Sequence, residues 1–242
     1  MNGLDLFSGI GGISYALEEW VKAIAYCEIE PYCQSILLQR MQAGDLPKAP
    51  IWDDVCTLPY DELPPIDIIT AGFPCQDISV AGLGKGLEGE RSGLFFEIMR
   101  LAKEIKPKFL FLENTKGILS RGGLQVLESL ASCGYDARWI TKSCREEGSP
   151  QHRERWFCLA YANSESGPGL PIGEKTRQSK LRMCVKSKKW HKWPENESAL
   201  LGVDDVIPFR LERTKALGNS VCVQQTREAY KELAGLINYD NL

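Results

Sequence analysis

Leu4-Asp5-Leu6-Phe7-Ser8-Gly9-Ile10-Gly11-Gly12 reads as a buried strand that runs into a glycine-rich turn. Glycines at 9, 11 and 12 let a backbone approach a ligand closely at the C-terminal end of a parallel strand, where open α/β sheets bind nucleotides. The spacing is not G-x-G-x-x-G, because Ser14 stands at the third glycine position. That disfavours a pyrophosphate dinucleotide and suits a nucleoside-type cofactor. A helix is predicted next, with Ile13, Ala16, Leu17 and Trp20 on one face.

Outward from this turn the same grammar repeats over the first 160 residues. Ala23–Cys27 is predicted as a second strand ending on acidic Glu28, and Pro31 opens a helix at its first turn, where a missing N–H costs nothing. Asp67–Thr70 and Phe109–Leu112 are further apolar strands. Between them Phe95, Ile98, Met99, Ala102 and Ile105 mark a helix that stops before Pro107. Arg138–Thr141 and Trp156–Ala160 read as an antiparallel pair at one sheet edge. Strands alternating with helices predict an α/β fold with a mostly parallel sheet. From Asn163 to Glu197 the chain turns polar, basic and rich in Gly, Ser and Pro, which predicts a small lobe or long insertion. A C-terminal helix from about Val221 to Leu236 is expected to pack back on the first unit.

A chain of 242 residues with 43% hydrophobic and 25% charged residues can fold one domain and a small second lobe, and is not of disordered composition. No signal-peptide pattern opens it and no apolar run approaches the roughly 18 residues of a membrane span, so a cytoplasmic protein is expected. The nine cysteines show neither disulfide nor zinc spacing, so neither a metal site nor a disulfide framework is expected. The net charge of −3 does not by itself suggest a nucleic-acid binder. Yet Lys175, Arg177, Lys180, Arg182, Lys186, Lys188, Lys189 and Lys192 lie in a run without Asp or Glu. The run reads either as a solvated loop or as a phosphate-contacting segment.

Glu28, at the end of the second strand, is placed to accept hydrogen bonds from ribose hydroxyls. Asp54 closes the short apolar segment Ile51–Val55 and could accept from an adenine amine, with Val55 on the ring face. Each also reads as an ordinary loop carboxylate; in successive βα units they point together to an adenosyl site.

The stretch Ala71-Gly72-Phe73-Pro74-Cys75-Gln76-Asp77-Ile78-Ser79 follows the strand Asp67–Thr70, which puts Cys75 at the ligand-binding edge of the sheet. Here the sequence resembles the cytosine-C5 DNA methyltransferases, whose nucleophile sits in a Phe-Pro-Cys-Gln loop. The resemblance keeps that family's order over most of the chain. Asp5–Gly12 resembles its cofactor loop and Gly86–Gly93 its mobile active-site loop. Glu113-Asn114 resembles its Glu-Asn-Val element, with Thr115 in the third place. Gln151-His152-Arg153-Glu154-Arg155 matches its Gln-x-Arg-x-Arg element, and Lys215–Ser220 its closing Gly-Asn-Ser segment.

The resemblance implies a Rossmann-like fold dependent on S-adenosylmethionine (SAM), with a small C-terminal recognition lobe, and a double-stranded DNA substrate. It implies a cofactor site of Phe7, Ser8, Gly9, Gly11, Gly12, Glu28, Ile29, Asp54, Val55, Phe73, Asn219 and Ser220. It implies catalytic roles for Cys75 as nucleophile, Glu113 at N3 of the base and Arg155 at O2, with Arg153 and Gln151 supporting the loop and the flipped base. Gln76, Ser79, Arg91, Gln151, Lys186, Lys188, Lys189 and Lys192 would meet DNA. The chemistry agrees: C5 of cytosine is a weak nucleophile until a thiolate adds at C6, so covalent catalysis by Cys is needed. An acid at N3 and a donor at O2 then stabilise the electron-rich ring. The target atom is unreachable inside a duplex, so the base must flip out, and the Gly82–Gly93 loop is suited to closing over it.

The expected organisation is a SAM-binding unit over 1–160, a short target-recognition segment over 161–205, and a closing segment and helix over 206–242. Val203 to Arg213 resembles the element that organises the family's recognition domain, with Arg210 and Arg213 as supports. Only about 45 residues separate Tyr161 from Pro208, short for such a domain, so the expected partners include a protein that supplies target recognition. The alternatives are a tRNA cytosine-C5 methyltransferase and an idle DNA-binding paralogue. The tRNA branch carries Pro-Pro-Cys-Gln and a Cys-Phe-Thr signature, neither of which is present here.

Overall fold

The computed structural model of the chain describes residues 1–74, 93–163 and 210–235, with side chains from Lys215 onward in the last segment. Five strands run parallel: β1 (Asn2–Leu6), β2 (Lys22–Cys27), β3 (Ile51–Trp52), β4 (Ile68–Gly72) and β5 (Phe109–Thr115). β6 (Tyr135–Ser143) and β7 (Glu154–Ala162) complete the sheet in the order β3-β2-β1-β4-β5-β7-β6, both pairings of β7 being antiparallel. This is the mixed α/β sheet with an antiparallel edge pair that the alternating pattern predicts. Strand order reverses at β1, between β2 and β4, which opens a crevice at the C-terminal ends of these strands.

Side chains of the inner strands alternate between two cores, as the pleat requires. Ile69, Ala71, Leu110, Leu112, Trp156 and Cys158 face one cluster, covered by α3 (Leu94–Ile105) and, beyond α4 (Ile118–Arg121), by α5 (Gly123–Ser132). Ile68, Phe111, Phe157 and Leu159 face the other, covered by α1 (Gly12–Ala16) and α7 (Val223–Leu233). Phe111 lies 6.0 Å from Phe157 in a stacked pair and meets Tyr230 of α7 edge-on at 5.4 Å. Such pairs add about 0.5–1.5 kcal/mol each beyond their burial, and the Phe111–Tyr230 contact holds α7 on the sheet.

Local signals account for the helix ends. α2 (Pro31–Ala43) starts on Pro31, and α3 ends at Lys106, which takes a left-handed φ of 53°. The proline at 107 disfavours helical geometry at that residue and turns the chain. α1 is shorter than its apolar pattern predicts. Trp20 N–H donates to Leu17 O rather than Ala16 O, and Arg227 Nε takes the freed Ala16 carbonyl at 3.0 Å. Trp20 still packs on Tyr230, at 5.3 Å between ring centres, so the apolar stripe is used without a helix to carry it. The terminal helix spans Val223–Leu233 and lies against β6, β7 and α1. Between Val203 and Arg213, only the backbone from Arg210 falls within the described residues, as the start of α6 (Arg210–Asn219). The basic run lies outside them.

Candidate active site

The turn after β1 is tighter than a flexible loop. Phe7 and Gly9 have φ of 53° and 54°, Ser8 Oγ donates to Asp5 O at 2.7 Å, and Gly11 N–H donates to Ser8 O at 2.8 Å. The three glycines serve different ends. A Cβ on Gly11 would lie 2.5 Å from Leu46 Cδ1, and one on Gly12 2.8 Å from Val221 Cγ2, so both make room for protein. Gly9 alone of the three faces open space, and its N–H donates to Glu28 Oε2 at 2.6 Å.

Glu28 is buried, and its Oε1 accepts from Glu30 N–H at 2.8 Å. Its two bonded donors leave part of a carboxylate's acceptor capacity for hydroxyl groups. Ile29, next along the chain, is exposed, whereas Val55 is buried in the core. Ile29 therefore offers exposed apolar surface next to Glu28 in the chain. Asp54 Oδ1 accepts from Cys56 N–H at 2.9 Å and caps the turn Val55–Thr57. Phe73 packs on Phe95, with ring centres 5.4 Å apart. Asn219 is exposed, and Ser220 Oγ donates to Leu217 O at 2.8 Å.

Asp5 has no role of its own in the motif as read from sequence. It is buried in β1, accepting from Ser14 Oγ at 2.6 Å and Thr70 Oγ1 at 2.7 Å, which ties β1 to α1 and β4. Burial pushes its carboxyl up to about 6 against the pull of those hydroxyls. Ser14, where a dinucleotide site would have glycine, is one of its two side-chain partners. An acid inside an apolar strand was the available signal.

At the other end of the crevice, Glu113 is buried near the C-terminal end of β5, beside Gly72 of β4. Arg155 of β7 lies diagonally across, since Glu113 pairs with Phe157 and Thr115 with Arg155. Diagonal positions share a face, and Arg155 Nε meets Glu113 Oε1 at 2.9 Å. Burial pushes the Glu113 carboxyl up to about 7, and the Arg155 and Arg153 guanidiniums hold it from rising further. The next residue, Asn114, points the opposite way. Its Nδ2 donates to Phe73 O at 2.9 Å, anchoring the chain just before Pro74 and Cys75.

Arg153 does not reach Glu113. Its Nη1 and Nη2 donate to Gly218 O at 3.0 Å and Ser220 O at 2.5 Å, at the C-terminal end of α6, where a cation meets unpaired carbonyls. Among the described residues its buried Nε has no hydrogen-bond partner. Gln151 and His152 are exposed ahead of β7. Cys75, Gln76, Ser79, Arg91, Lys186, Lys188, Lys189 and Lys192 lie outside the described residues. Among the described residues no group of His, Cys, Asp and Glu is placed to hold a metal, and no helix is long and apolar enough to cross a membrane.

The glycine turn and Glu28 stand at the C-terminal ends of β1 and β2, and the Glu113–Arg155 pair at the C-terminal end of β5, the edge at which open parallel sheets take ligands. Residues 1–213 match the family described as C-5 cytosine-specific DNA methylase. The chain belongs to that family. It is 37% identical over 159 residues to the Type II methyltransferase M.CviJI of Paramecium bursaria Chlorella virus IL3A, covering 65% of this chain and 42% of that protein. It is 34% identical over 165 residues to the Type II methyltransferase M.HhaI of Haemophilus parahaemolyticus, covering 66% and 49%. The chain thus spans about half the length of these relatives. Among solved structures, the S. pombe Dnmt2 methyltransferase superposes with a TM-score of 0.53 at 24% identity, over 68% of this chain and 52% of that one. A putative DNA modification methyltransferase encoded within an E. coli prophage gives 0.52 at 25%, over 67% and 47%. The first of these supports the fold alone.

Proposed function

We propose that the chain is a DNA cytosine-C5 methyltransferase that uses SAM as methyl donor and Cys75 as covalent nucleophile. The observation that carries this reading is the Glu113–Arg155 pair, 2.9 Å apart, with Glu113 buried beside the end of the strand that leads to Cys75. A carboxyl poised near 7 is suited to hold and release a proton at neutral pH.

The residues at the other end fit an adenosyl group. Gly9 has open space beside its backbone, Glu28 has acceptor capacity left for the ribose hydroxyls, and exposed Ile29 offers a face to the ring. When bound there, SAM would supply an electrophilic methyl group. In this reading the Cys75 thiolate adds at C6 of a flipped cytosine. Glu113 gives its proton to N3, and Arg155 donates hydrogen bonds to O2, so the added electron pair is neutralised where it accumulates. After C5 is methylated, its proton leaves to solvent, the C6–S bond breaks, and Glu113 recovers the proton from N3. Asn114 holds Phe73 and thereby the entry of the Cys75 loop. Arg153 is a support of the closing segment rather than a group on the base. Double-stranded DNA is the proposed partner, with residues 161–205 or a separate protein selecting the target.

Transfer of labelled methyl groups from SAM to duplex DNA of mixed sequence, with bulk tRNA in parallel, tests this. DNA should be labelled and tRNA should stay at background. Normal SAM binding with no label in any DNA would refute the proposal.

A further inference from the structure

α7 presents Ala229, Tyr230 and Leu233 to an apolar core, yet one turn before them stands a fully buried amide, Gln225. Its Nε2 donates to Lys142 O at 2.7 Å and to Arg153 O at 2.9 Å, and its Oε1 accepts from Cys144 Sγ at 3.2 Å. Leucine would bury as much surface without the desolvation that an amide carries. What the amide adds is direction, because only one placement of α7 meets both carbonyls and the thiol.

Those carbonyls are particular ones. Lys142 of β6 pairs with Arg155 of β7, so Gln225 holds both strands at and just beside the rung that carries Arg155. The Arg153 carbonyl it holds belongs to the residue whose guanidinium holds Gly218 O and Ser220 O. Only four residues lie between Ser220 and Gln225, so the contacts close a ring: hairpin to α7, α7 back to the 218–220 segment, and that segment to the hairpin. Val221, inside the ring, sits on Gly12 of the first turn.

We propose that Gln225 is a positioning residue for methyl transfer, keeping the Arg155 rung and the 218–221 segment aligned with Glu113 and the glycine turn. This rests on the function proposed above. Among the described residues the charged groups that act on Glu113 are Arg155 of β7, in contact, and Arg153, just before β7 and at longer range, while β4 presents Gly72.

The test is Gln225→Met, close in length and unbranched, with Gln225→Leu as a second variant. The limiting kcat on mixed-sequence DNA should fall about 10-fold or more, as expected of a sub-ångström misalignment. The basic limb of the pH–rate profile should move to higher pH, because an Arg155 drawn away from Glu113 stabilises its carboxylate less. A loss of packing alone would lower the rate without moving that limb. Amide hydrogen exchange over residues 218–222, which needs no activity, should be faster by about 10-fold or more in both variants. An unmoved limb or unchanged exchange would overturn the proposal. So would failure of both variants to fold, which would make Gln225 a folding residue. If wild-type protein labels no DNA, the functional reading fails, and exchange alone decides the role of Gln225.

Discussion

Cys75→Ser is expected to reduce methyl transfer to DNA by about 10,000-fold or more while leaving SAM affinity within about twofold. The change exchanges one atom, so packing is preserved and the lost quantity is nucleophilicity. A cysteine thiol ionises near 8.5 and gives some thiolate at neutral pH, whereas an alcohol gives almost no alkoxide. The proposed adenosyl contacts lie on the turn after β1 and on Glu28, on strands separate from the Cys75 loop, which is why binding should survive. Single-turnover transfer and calorimetric SAM titration on the same preparations separate the two effects. Residual activity within tenfold of wild type would remove Cys75 from the chemistry.

Glu113→Gln should lower the rate by about 100- to 1,000-fold, within the usual range for a general acid. Glutamine can hydrogen-bond to N3 but has no proton to transfer. The pH dependence gives a sharper signature. With its carboxyl near 7, wild-type Glu113 loses the required proton as pH rises through that value, so the rate should fall on the basic side. The glutamine variant should lack that limb. Stability follows the same titration. The folded pKa lies above the ordinary value of 4.5, so the folded state binds the proton more tightly than the unfolded chain does. The associated stability is fully present below about 4.5 and is lost as pH rises to about 7. Thermal unfolding of Glu113→Gln should therefore decline less over that window. Some decline remains, since buried Asp5, raised to about 6, acts in the same direction. A variant whose basic limb persists would assign the titration to another group.

Much of the frame was legible because it is local. Two-sided apolar runs identified the inner strands, Pro31 and Pro107 bounded helices, and the Glu113 and Arg155 motifs were placed by resemblance. What escaped depends on register between distant segments. Nothing near Ala16 announces that Arg227 will take its carbonyl and end α1 early. Ser14 looked like a missing glycine, and only the β1–β4 pairing shows it bonded to Asp5 beside Thr70. The three turn glycines shared one sequence explanation, but Leu46 and Val221 supply separate steric reasons for two of them. Arg153 and Arg155 are two residues apart and look equivalent in the motif. The structure sends one to the 218–220 carbonyls and the other to Glu113. Gln225 carries no signal at all in a helix whose neighbours are ordinary core residues.

The most direct measurement is trapping with duplex DNA in which 5-fluorocytosine replaces cytosine. Fluorine at C5 cannot leave as a proton does, so methylated DNA should stay bonded to the nucleophile. The predicted result is a denaturant-stable protein–DNA complex that forms only with SAM present, with the cross-linked peptide containing Cys75. SAM binding without any such complex, or a cross-link mapped to another cysteine such as exposed Cys56, would contradict the account.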